Sequence, residues 1–512
     1  MSGRTPPVLR PEHPPVRELS ELAAHFQLDS RGALGDIAIT GITLSTHDLQ
    51  PGDVYVGVRG AHAHGAAYAA QARAAGAVAL VTDAEGAALA EGSGLPVLIV
   101  DDPRGRLGAL ASWVYRTAEF EGQLFGITGT NGKTSSVYLL EAVLRQLGVV
   151  TGLSSTAERH IAGLTVVSRL TTPEATEFHA LLARMAEAGV RAVAVEVSAQ
   201  ALSRHRVDGV LFDVVGFTNL SHDHLDDYAD MEEYYAAKLP LFTAERGRRG
   251  VVSLDSDYGA RVVADAGIPV TTITSRAGVE ADWHLVVTEE DAAYTGFRVS
   301  HSDGRSLQSS IPLIGSHMAA NAGLVIVMLV EAGYALDDIA RAVGERGIDA
   351  YLPGRTERVS GDRGPSVYVD FGHSADAFEN TLAAVRRFTT GRTIMVFGAD
   401  GDRDATKRHE MARVAAEGCD VLVITDHHPR FEDPVAIRRA LLEGARAAVS
   451  QPEIHEISPP EQAIRHAVGL AREGDSILWA GPGHQDYREI RGVRTEYSAR
   501  DEARAALREA GW

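Results

Sequence analysis

Short apolar runs alternate with helical, alanine-rich runs along most of the chain, and this pattern predicts an α/β protein. In the first part, strand-like runs at 54–58, 78–83 and 95–100 flank a helical run at 66–76. Together they predict a small α/β domain over 1–118, preceded by a proline-rich tail that ends near Pro15.

Two further blocks show the strand–helix rhythm of a parallel sheet. The second, placed at 119–350, opens with a strand at 124–128 and a helix at 133–148, and has later strands at 192–198, 212–219 and 250–255. The third, placed at 351–512, has strands at 367–371, 393–398, 421–426 and 476–481. Pro353 and Gly354 are turn residues that suit a hinge between these two blocks. We therefore expect three α/β domains, the central one a nucleotide-binding domain with a mostly parallel sheet and the last one Rossmann-like.

Composition and charge narrow the class of protein. The chain has 512 residues, and 49 basic against 69 acidic residues give a net charge of −20, which argues against nucleic-acid binding. The single cysteine, Cys419, excludes an intramolecular disulfide and a thiolate zinc site. The start has no apolar signal core, and the longest apolar stretch, Ala322 to Val330, is too short for a membrane span. We expect a cytoplasmic protein.

The segment GITGTNGKTSS, from Gly126 to Ser136, is the main candidate for chemistry because it lies between a predicted strand and a predicted helix. Gly129 and Gly132 let backbone amides approach a phosphate, Lys133 offers a charge to the outer phosphates and Thr134 offers a hydroxyl to Mg²⁺. Ile127 stands where the strict P-loop pattern has glycine, so a glycine-rich turn without a ligand is the alternative. The chain has no NKxD-type guanine motif, which favours ATP over GTP.

Seven motifs, spaced along nearly the whole chain, carry a family resemblance. They are TGTNGKT from Thr128, TTPEA from Thr171, EVS from Glu196, FTNLSHDHLDDY from Phe217, YYAAKLPLF from Tyr234, PGRTERV from Pro353 and GDRD from Gly401. In this order they resemble the Mur ligase family, and within it the enzymes that add the third amino acid of the peptidoglycan stem.

The resemblance implies ATP as the nucleotide and Mg²⁺ as the metal. The ATP-binding residues it implies are Gly129, Thr130, Asn131, Gly132, Lys133, Thr134, Ser135, Asn321 and Arg355. The catalytic set is Lys133, Glu196, His224 and Lys238, and the metal set is Thr134, Glu196, His224 and Lys238. In this family the lysine at the position of Lys238 reacts with CO₂ to give a carbamate.

Read without the family, some of these residues have plainer interpretations. Glu196 reads as a surface acid at the end of a strand, and Lys238 as a solvated side chain of a helix. The resemblance selects His224 from its histidine-rich segment and leaves His222, Asp223 and Asp226 as structural residues.

The acceptor and amino-acid sites depart from the family pattern. The acceptor residues implied are Leu44, Thr46, Thr171, Thr172, Ser198, Arg204 and Arg206, but Ser45, Thr46 and His47 replace the usual Asp-Ser-Arg. In the third block Asp370, His373, Arg403, Arg430 and Gln485 each follow a strand end, so a parallel sheet would gather them on one edge.

The family assigns amino-acid binding to the residues of that edge and its neighbours, namely Arg403, His427, His428, Pro429, Arg430, Gly481 and Gln485. His427 and His428 replace the Asp-Asn of the family's Asp-Asn-Pro-Arg, and Gln485 replaces a glutamate. Because Gln485 offers no negative charge to a distal ammonium, we expect weak use of meso-diaminopimelate. An amino acid whose far end is uncharged, shorter or differently arranged is expected to serve better.

The function predicted is an ATP-dependent ligase that joins an amino acid to a carboxylate through an acyl phosphate, with UDP-N-acetylmuramoyl-dipeptide as acceptor and a third amino acid as donor of the amine. Closure about Pro353 and Gly354 would bring the two together and exclude water. The alternatives are a paralogue of specialised metabolism, a non-catalytic ATP-binding regulatory relative and a folate-type polyglutamate ligase. The partners expected are small molecules, and the chain is expected to be a monomer.

Overall fold

The computed structural model describes residues 8–344 and 346–512, which form three α/β domains, each built around its own sheet. The first seven residues of the proline-rich start lie outside the described residues. The sheets have five, eleven and six strands, and we call them the N-terminal, central and C-terminal sheets. The boundaries at 118 and 350 stay predictions.

The N-terminal sheet is small and mostly parallel. Its strand order is β2-β7-β6-β5-β4, and β2 runs antiparallel to β7. The strands of this region are β1 Arg17–Glu18, β2 Asp29–Arg31, β3 Ala38–Ile39, β4 Gly41–Thr43, β5 Asp53–Gly57, β6 Ala79–Thr82 and β7 Val97–Ile99. The helices are α1 Leu19–Phe26, α2 Ala69–Ala74, α3 Ala84–Leu89 and α4 Pro103–Tyr115, with 3₁₀ turns at Gly65–Tyr68 and Thr117–Glu119.

The predicted tail before Pro15 is firmly attached where it is described. Arg10 forms an ion pair with the buried Asp53 of the N-terminal sheet, with 2.6 Å between Nη1 and Oδ1. The backbone N–H groups of Glu12 and His13 both donate to Glu187 at 2.8 Å. Since Glu187 ends a helix beside the central sheet, residues 8–16 tie the first two domains together.

The central sheet has a parallel middle with an antiparallel hairpin at each edge. Its order is β11-β10-β9-β12-β8-β13-β14-β15-β16-β17-β18. The strands are β8 Gln123–Thr128, β9 Thr151–Ser154, β10 Glu158–Ile161, β11 Leu164–Val167, β12 Ala192–Glu196, β13 Phe212–Phe217, β14 Gly247–Ser253, β15 Val270–Thr274, β16 Trp283–Glu290, β17 Thr295–His301 and β18 Ser306–Ile311. The helices are α5 Lys133–Gln146, α6 Ala175–Glu187, α7 Ala199–Ser203, α8 Met231–Lys238, α9 Asp257–Asp265, α10 Ser316–Glu331 and α11 Leu336–Val343, with a 3₁₀ turn at Leu239–Phe242.

Helices cover both faces of this sheet, which explains why its strands are continuous apolar runs. One apolar cluster joins the sheet to α5 and α10, and a second joins the opposite face to α6, α7 and α8. The strands β8, β12 and β13 lie side by side and parallel, so their carboxyl ends open at one edge. That edge is where an open α/β sheet binds its ligands.

The C-terminal sheet is a doubly wound sheet of order β19-β20-β24-β21-β22-β23, parallel except for β19. The strands are β19 Glu357–Arg358, β20 Ser366–Asp370, β21 Thr393–Phe397, β22 Val421–Ile424, β23 Glu453–Glu456 and β24 Ser476–Ala480, followed by the hairpin β25 Tyr487–Ile490 and β26 Val493–Glu496. The helices are α12 Ala375–Phe388, α13 Arg408–Gly418, α14 Pro434–Arg446, α15 Pro460–Leu470 and α16 Ala499–Glu509.

The linker into this last domain is fixed by a close backbone approach. Gly354 has φ of 64°, and a Cβ there would overlap the backbone of Gly483 and His484. Gly483 itself has φ of 51°. Both positions therefore need glycine, and the linker rests directly on the loop that follows β24.

Candidate active site

The glycine-rich loop lies between the end of β8 and the start of α5, as predicted. Gly129 and Gly132 have φ of 150° and 87°, and a Cβ on Gly129 would collide with the side chain of Thr218. The segment after β13 holds the loop, because Thr130 N donates to Asn219 O and Asn131 N to Asn219 Oδ1, both at 2.9 Å. The first N–H groups of α5 have no acceptor within the helix, and anions bind at such helix starts.

Two lysines from different helices meet at one carbonyl of this loop. The side-chain nitrogens of Lys133 and Lys238 lie 3.1 and 2.8 Å from Gly129 O, and Lys133 also donates to Thr130 O at 2.9 Å. Lys238 is only 2% exposed and lies 4.3 Å from the ring centre of Tyr234. Burial, together with the charge of Lys133, holds the pKa of Lys238 well below its ordinary value. The expectation from sequence alone, a solvated lysine, is wrong.

Oxygen ligands for a cation converge next to the lysines. Glu196, at the end of β12, is 2% exposed, so the plain interpretation as a surface acid is wrong as well. Its carboxylate accepts from Thr134 Oγ1 at 2.9 Å and from Thr156 N and Oγ1 at 2.9 and 3.0 Å. Arg355, on the linker, donates to Thr134 Oγ1 at 2.9 Å.

The histidine-rich loop after β13 links the central and C-terminal domains. Burial and the nearby lysines lower the pKa of His224 to about 4, so its imidazole is neutral near pH 7. Its neighbour Asp223, which was predicted to be structural, accepts from Lys407 of the C-terminal domain at 2.7 Å. His373, from the same domain, lies 3.7 Å from the other oxygen of Asp223. Sequence reasoning did not identify Lys407.

Asn321, on α10, lies directly against the glycine-rich loop. A Cβ on Gly132 would come within 2.5 Å of Asn321 Oδ1. The absence of a side chain at Gly132 therefore lets the loop and α10 approach each other. Asn131 extends from the same loop to Asp376 of α12, with 2.7 Å between Nδ2 and Oδ2.

These groups face one cavity of about 1820 Å³ between the central and C-terminal domains. The predicted site residues that line it are Thr130, Asn131, Gly132, Lys133, Thr134, Ser135, Thr171, Glu196, Ser198, Arg206, His224, Lys238, Asn321, Arg355, Arg403, His427, Arg430, Gly481 and Gln485. The structure thus brings most of the predicted nucleotide, metal and amino-acid residues together at one cavity. Among the residues described, those predicted but not on its wall are Leu44, Thr46, Gly129, Thr172, Arg204, His428 and Pro429.

Several predicted acceptor residues are engaged in the protein's own hydrogen bonds. Thr172 is fully buried and bridges Glu196 O and Ser198 N through its hydroxyl. Arg206 donates to Glu174 at 3.0 Å, and the half-exposed Arg204 pairs with Asp227 at 3.1 Å.

A fork–fork ion pair joins the first two domains beside the predicted acceptor loop. Both terminal nitrogens of Arg169 lie 3.0 Å from the carboxylate oxygens of Asp48. Sequence reasoning missed this pair because its members are 121 residues apart.

The residues at the predicted amino-acid-binding edge of the C-terminal sheet form more hydrogen bonds and ion pairs with one another than the sequence indicated. His427 Nδ1 and Arg430 Nη2 lie 2.6 and 3.2 Å from the two carboxylate oxygens of Asp400, a residue that was not predicted. His428 lies behind these residues, where it is 3% exposed and its ring stacks on that of Tyr487. Asp400, His427 and His428 have ligand-type atoms within 4.8 Å of one another, but both ring nitrogens of His428 already form hydrogen bonds.

Comparison with known proteins identifies the family of this chain. Three family models match consecutive parts of the chain: the Mur ligase family catalytic domain at 38–115, the Mur ligase middle domain at 127–329 and the Mur ligase glutamate ligase domain at 354–483. The chain therefore belongs to the Mur ligase family. It is an ATP-dependent ligase of the acid–amino-acid type.

Individual relatives match over the full length. The chain is 61% identical, with all of both chains covered, to UDP-N-acetylmuramyl-tripeptide synthetase of Leifsonia xyli subsp. xyli. It is 41% identical over 98% of both chains to UDP-N-acetylmuramoyl-L-alanyl-D-glutamate–2,6-diaminopimelate ligase of Streptomyces avermitilis. A solved structure of a ligase with the latter name covers 97% of this chain and 100% of its own, with a TM-score of 0.66 and 24% identity, which supports the fold. In the described part of the chain, no helix has both the length and the apolar character that a membrane crossing needs.

Proposed function

We propose that this chain uses ATP to join a third amino acid to UDP-N-acetylmuramoyl-dipeptide, forming the peptidoglycan precursor tripeptide. The activities for which the 61% and 41% identical relatives are named support this acceptor and this step. The observation that carries the proposal is the convergence of Lys133, Lys238 and Glu196 beside the glycine-rich loop, in a cavity that reaches the C-terminal domain.

The nucleotide site is assigned to the glycine-rich loop and the start of α5. Lys133 is placed to neutralise charge that develops on the transferred phosphoryl group, because its ammonium already lies at the mouth of the loop. Arg355 brings a second positive charge to the same point from the linker. Asn321 would meet the base or sugar of the nucleotide, since it lies against Gly132.

The residues fit Mg²⁺ in their donor chemistry. Thr134 and Glu196 offer hard oxygen donors 2.9 Å apart, and His224 offers a neutral imidazole at the same cavity. When bound, Mg²⁺ would supply neutralisation of phosphate charge.

Lys238 fits a carbamate because its amine is buried and its pKa is held well below the ordinary value. Only a neutral amine nitrogen can form a bond to the carbon of CO₂, and the reaction releases a proton and leaves a carboxylate-like anion. Burial, helped by the charge of Lys133, therefore favours the form of Lys238 that can react. The resulting anion would lie beside Lys133 and offer two further oxygens to a metal.

The protein's part in the reaction is to position groups and to exclude water. An oxygen of the acceptor carboxylate attacks the γ-phosphorus of ATP and ADP leaves, which gives an acyl phosphate. The amino-acid nitrogen then attacks the acyl carbon, phosphate leaves and the nitrogen loses a proton. The cavity spans both domains, and contacts such as Asp223–Lys407 and Asn131–Asp376 hold them together while the intermediate exists.

The binding regions of the two substrates are assigned from the residues that line each part of the cavity. The acceptor is proposed to enter past Thr171, Ser198 and Arg206, which line the central part of the cavity. The amino acid is proposed to bind in the C-terminal part of the cavity, which Arg403, Arg430 and Gln485 line.

The test is phosphate release by the purified full-length chain with ATP, Mg²⁺, UDP-N-acetylmuramoyl-L-alanyl-D-glutamate and a panel of amino acids. We expect ADP and phosphate to form only when both the acceptor and an amino acid are present, and mass spectrometry to show one new amide bond. ATP turnover that ignores the acceptor, or none with any amino acid, would contradict the proposal and favour another acceptor or a non-catalytic role. Size-exclusion chromatography on the same sample tests the expected monomer.

A further inference from the structure

The basic side chains at the amino-acid end of the cavity are almost all neutralised by the protein itself. Within the described part of the chain, six lysine and arginine residues between 398 and 500 line this end. Five of them form an ion pair with an aspartate or glutamate, namely Lys407, Arg408, Arg430, Arg494 and Arg500. The sixth, Arg403, is exposed and has no carboxylate within ion-pair distance. Arg403 is therefore the one basic side chain among these six that is not held in an ion pair.

Arg430 forms an ion pair with Asp400, so its guanidinium is not free to bind a second carboxylate of the substrate. The same carboxylate also accepts from His427, so Asp400 has a basic partner on each oxygen. Although burial acts in the opposite direction, His427 and Arg430 keep the pKa of Asp400 below its ordinary range. A second substrate carboxylate placed at Arg430 would lie next to this anion and would be repelled by it.

The proton position on His428 determines what Gln485 can offer. Glu489 N–H donates to His428 Nδ1 at 3.1 Å, so the proton of the neutral ring is on Nε2. That Nε2–H donates to Gln485 Oε1 at 2.9 Å. The oxygen of Gln485 thus already accepts one hydrogen bond inside the protein, while Gln485 itself lines the cavity. The amide NH₂, a hydrogen-bond donor, is the part of Gln485 without such a partner and is the group offered to a ligand.

We propose that the amino acid taken by this site has a single carboxylate and a neutral side chain whose far end accepts a hydrogen bond, such as a hydroxyl. Arg403 takes the carboxylate, and the Gln485 amide donates to the far end. This inference rests on the proposed function and specifies its amino-acid substrate.

The same geometry disfavours the diamino acids. A distal ammonium would face the donor amide of Gln485, whose oxygen already accepts a hydrogen bond from His428. Diaminopimelate brings both a distal ammonium and a second carboxylate, so it meets both obstacles. The 41% identical relative is named as a diaminopimelate ligase, and the proposal therefore predicts a change of specificity within a shared fold.

The experiment compares amino acids that differ only in the far-end group. The matched pairs are L-homoserine with L-2,4-diaminobutyrate, L-5-hydroxynorvaline with L-ornithine, and L-6-hydroxynorleucine with L-lysine, with meso-diaminopimelate as a further substrate. The readout is kcat/KM from acceptor-dependent phosphate release. We expect the kcat/KM of the best hydroxy amino acid to exceed that of its amino partner and that of meso-diaminopimelate by at least about tenfold. An ammonium is itself a donor, so it would leave the amide NH₂ of Gln485 without an acceptor. Equal use within every pair, or a preference for a diamino acid, would overturn the proposal.

Two variants test the roles given to Gln485 and to Asp400 separately. Gln485→Glu gives His428 one carboxylate oxygen and leaves the second for a ligand, so the preference should move toward the ammonium-bearing member of each pair. Asp400→Asn releases Arg430, so meso-diaminopimelate should gain relative to the monocarboxylates. The controls make the same chemical changes at exposed helix positions, Gln462→Glu and Asp337→Asn, and should leave the preference unchanged.

Calorimetric titration of the same amino acids into the protein with acceptor and a non-hydrolysable ATP analogue separates this inference from the proposed function. If no amino acid supports turnover, the proposed function fails, while the order of binding affinities still decides the specificity. If turnover is normal and a diamino acid is preferred, the proposed function stands and this inference is wrong.

Discussion

Arg355 donates to the hydroxyl of Thr134 at 2.9 Å, which joins the linker between two domains to the first turn of α5. Its guanidinium also lies 4.4 Å from the ring centre of Phe371 in the C-terminal domain. One side chain therefore touches both the proposed metal and phosphate site and the C-terminal domain.

The first prediction follows from this relationship. Arg355→Ala should lower kcat by roughly a hundredfold, because a preorganised positive charge beside the transferred phosphoryl group is lost. Arg358→Ala, three residues further along on a more exposed side chain, serves as the matched control and should stay near wild-type activity. Steady-state kinetics on both variants measures this loss. An unaltered kcat in Arg355→Ala would show that Arg355 does not act on the transferred phosphoryl group.

The second prediction concerns Lys133. Lys133→Ala should abolish ATP-dependent product formation, because the ammonium neutralises phosphate charge. It should not unfold the protein, since the variant removes a half-buried ammonium whose hydrogen bonds go to two carbonyl oxygens, at 2.9 and 3.1 Å, and which does not pack in the core. Product analysis by mass spectrometry, with thermal unfolding measured alongside, checks both halves. Near wild-type turnover would contradict the phosphate-site assignment.

The third prediction is that Lys238 carries a carbamate. Lys238→Ala should be nearly inactive and partly rescued by short carboxylic acids, which restore an anion in the space the side chain leaves. Lys238→Arg cannot form a carbamate and should not be rescued in this way. Labelling with ¹³C-bicarbonate should give a carbamate carbon signal in the NMR spectrum of the wild type only. A fully active alanine variant and no labelled signal would together refute the modification.

The fourth prediction concerns stability at alkaline pH. His160 lies between Glu141 and Glu158, with its ring nitrogens 2.7 and 3.2 Å from their carboxylates. Burial alone would lower the pKa of His160, but these hydrogen bonds raise it to about 9. Because the folded-state pKa is above the unfolded value of about 6.5, the stabilisation is complete below pH 6.5 and is lost as the pH rises through 9.

The expected loss in the free energy of unfolding is about 3 kcal/mol between these two pH values. Urea unfolding at a series of pH values measures it. His160→Gln should be less stable near neutral pH and should lose most of this pH dependence, whereas His62→Gln, at an exposed position, should retain it. A wild-type stability that is flat from pH 6.5 to 9 would contradict the pairing.

Much of the fold was predictable because parallel strands covered on both faces are continuous apolar runs. The runs at 124–128, 192–198 and 212–219 became the adjacent strands β8, β12 and β13, and the glycine-rich loop followed β8. The order of strands in each sheet was not predictable, because it depends on contacts between distant segments and not on local periodicity.

The site was predicted less completely than the fold, for a physical reason that Asp400 illustrates. Its position near the end of β21 was visible in the sequence, but its pairing with His427 and Arg430 arises only when β21 and β22 lie side by side. The burial of Lys238 was not predictable from the residues alone either. Its helix has no apolar periodicity that would indicate which of its faces is buried. The roles given to the site residues stay predictions until the variants are measured.

The contact of Gly354 with Gly483 limits how specificity in this enzyme can change. Neither position accepts a side chain, so the loop that carries Gln485 keeps its path for as long as the linker keeps its own. New amino-acid preferences must then arise from side chains on an unchanged backbone, at positions such as 400, 428 and 485. A mutational library aimed at new substrates should vary those three sites and leave both glycines intact.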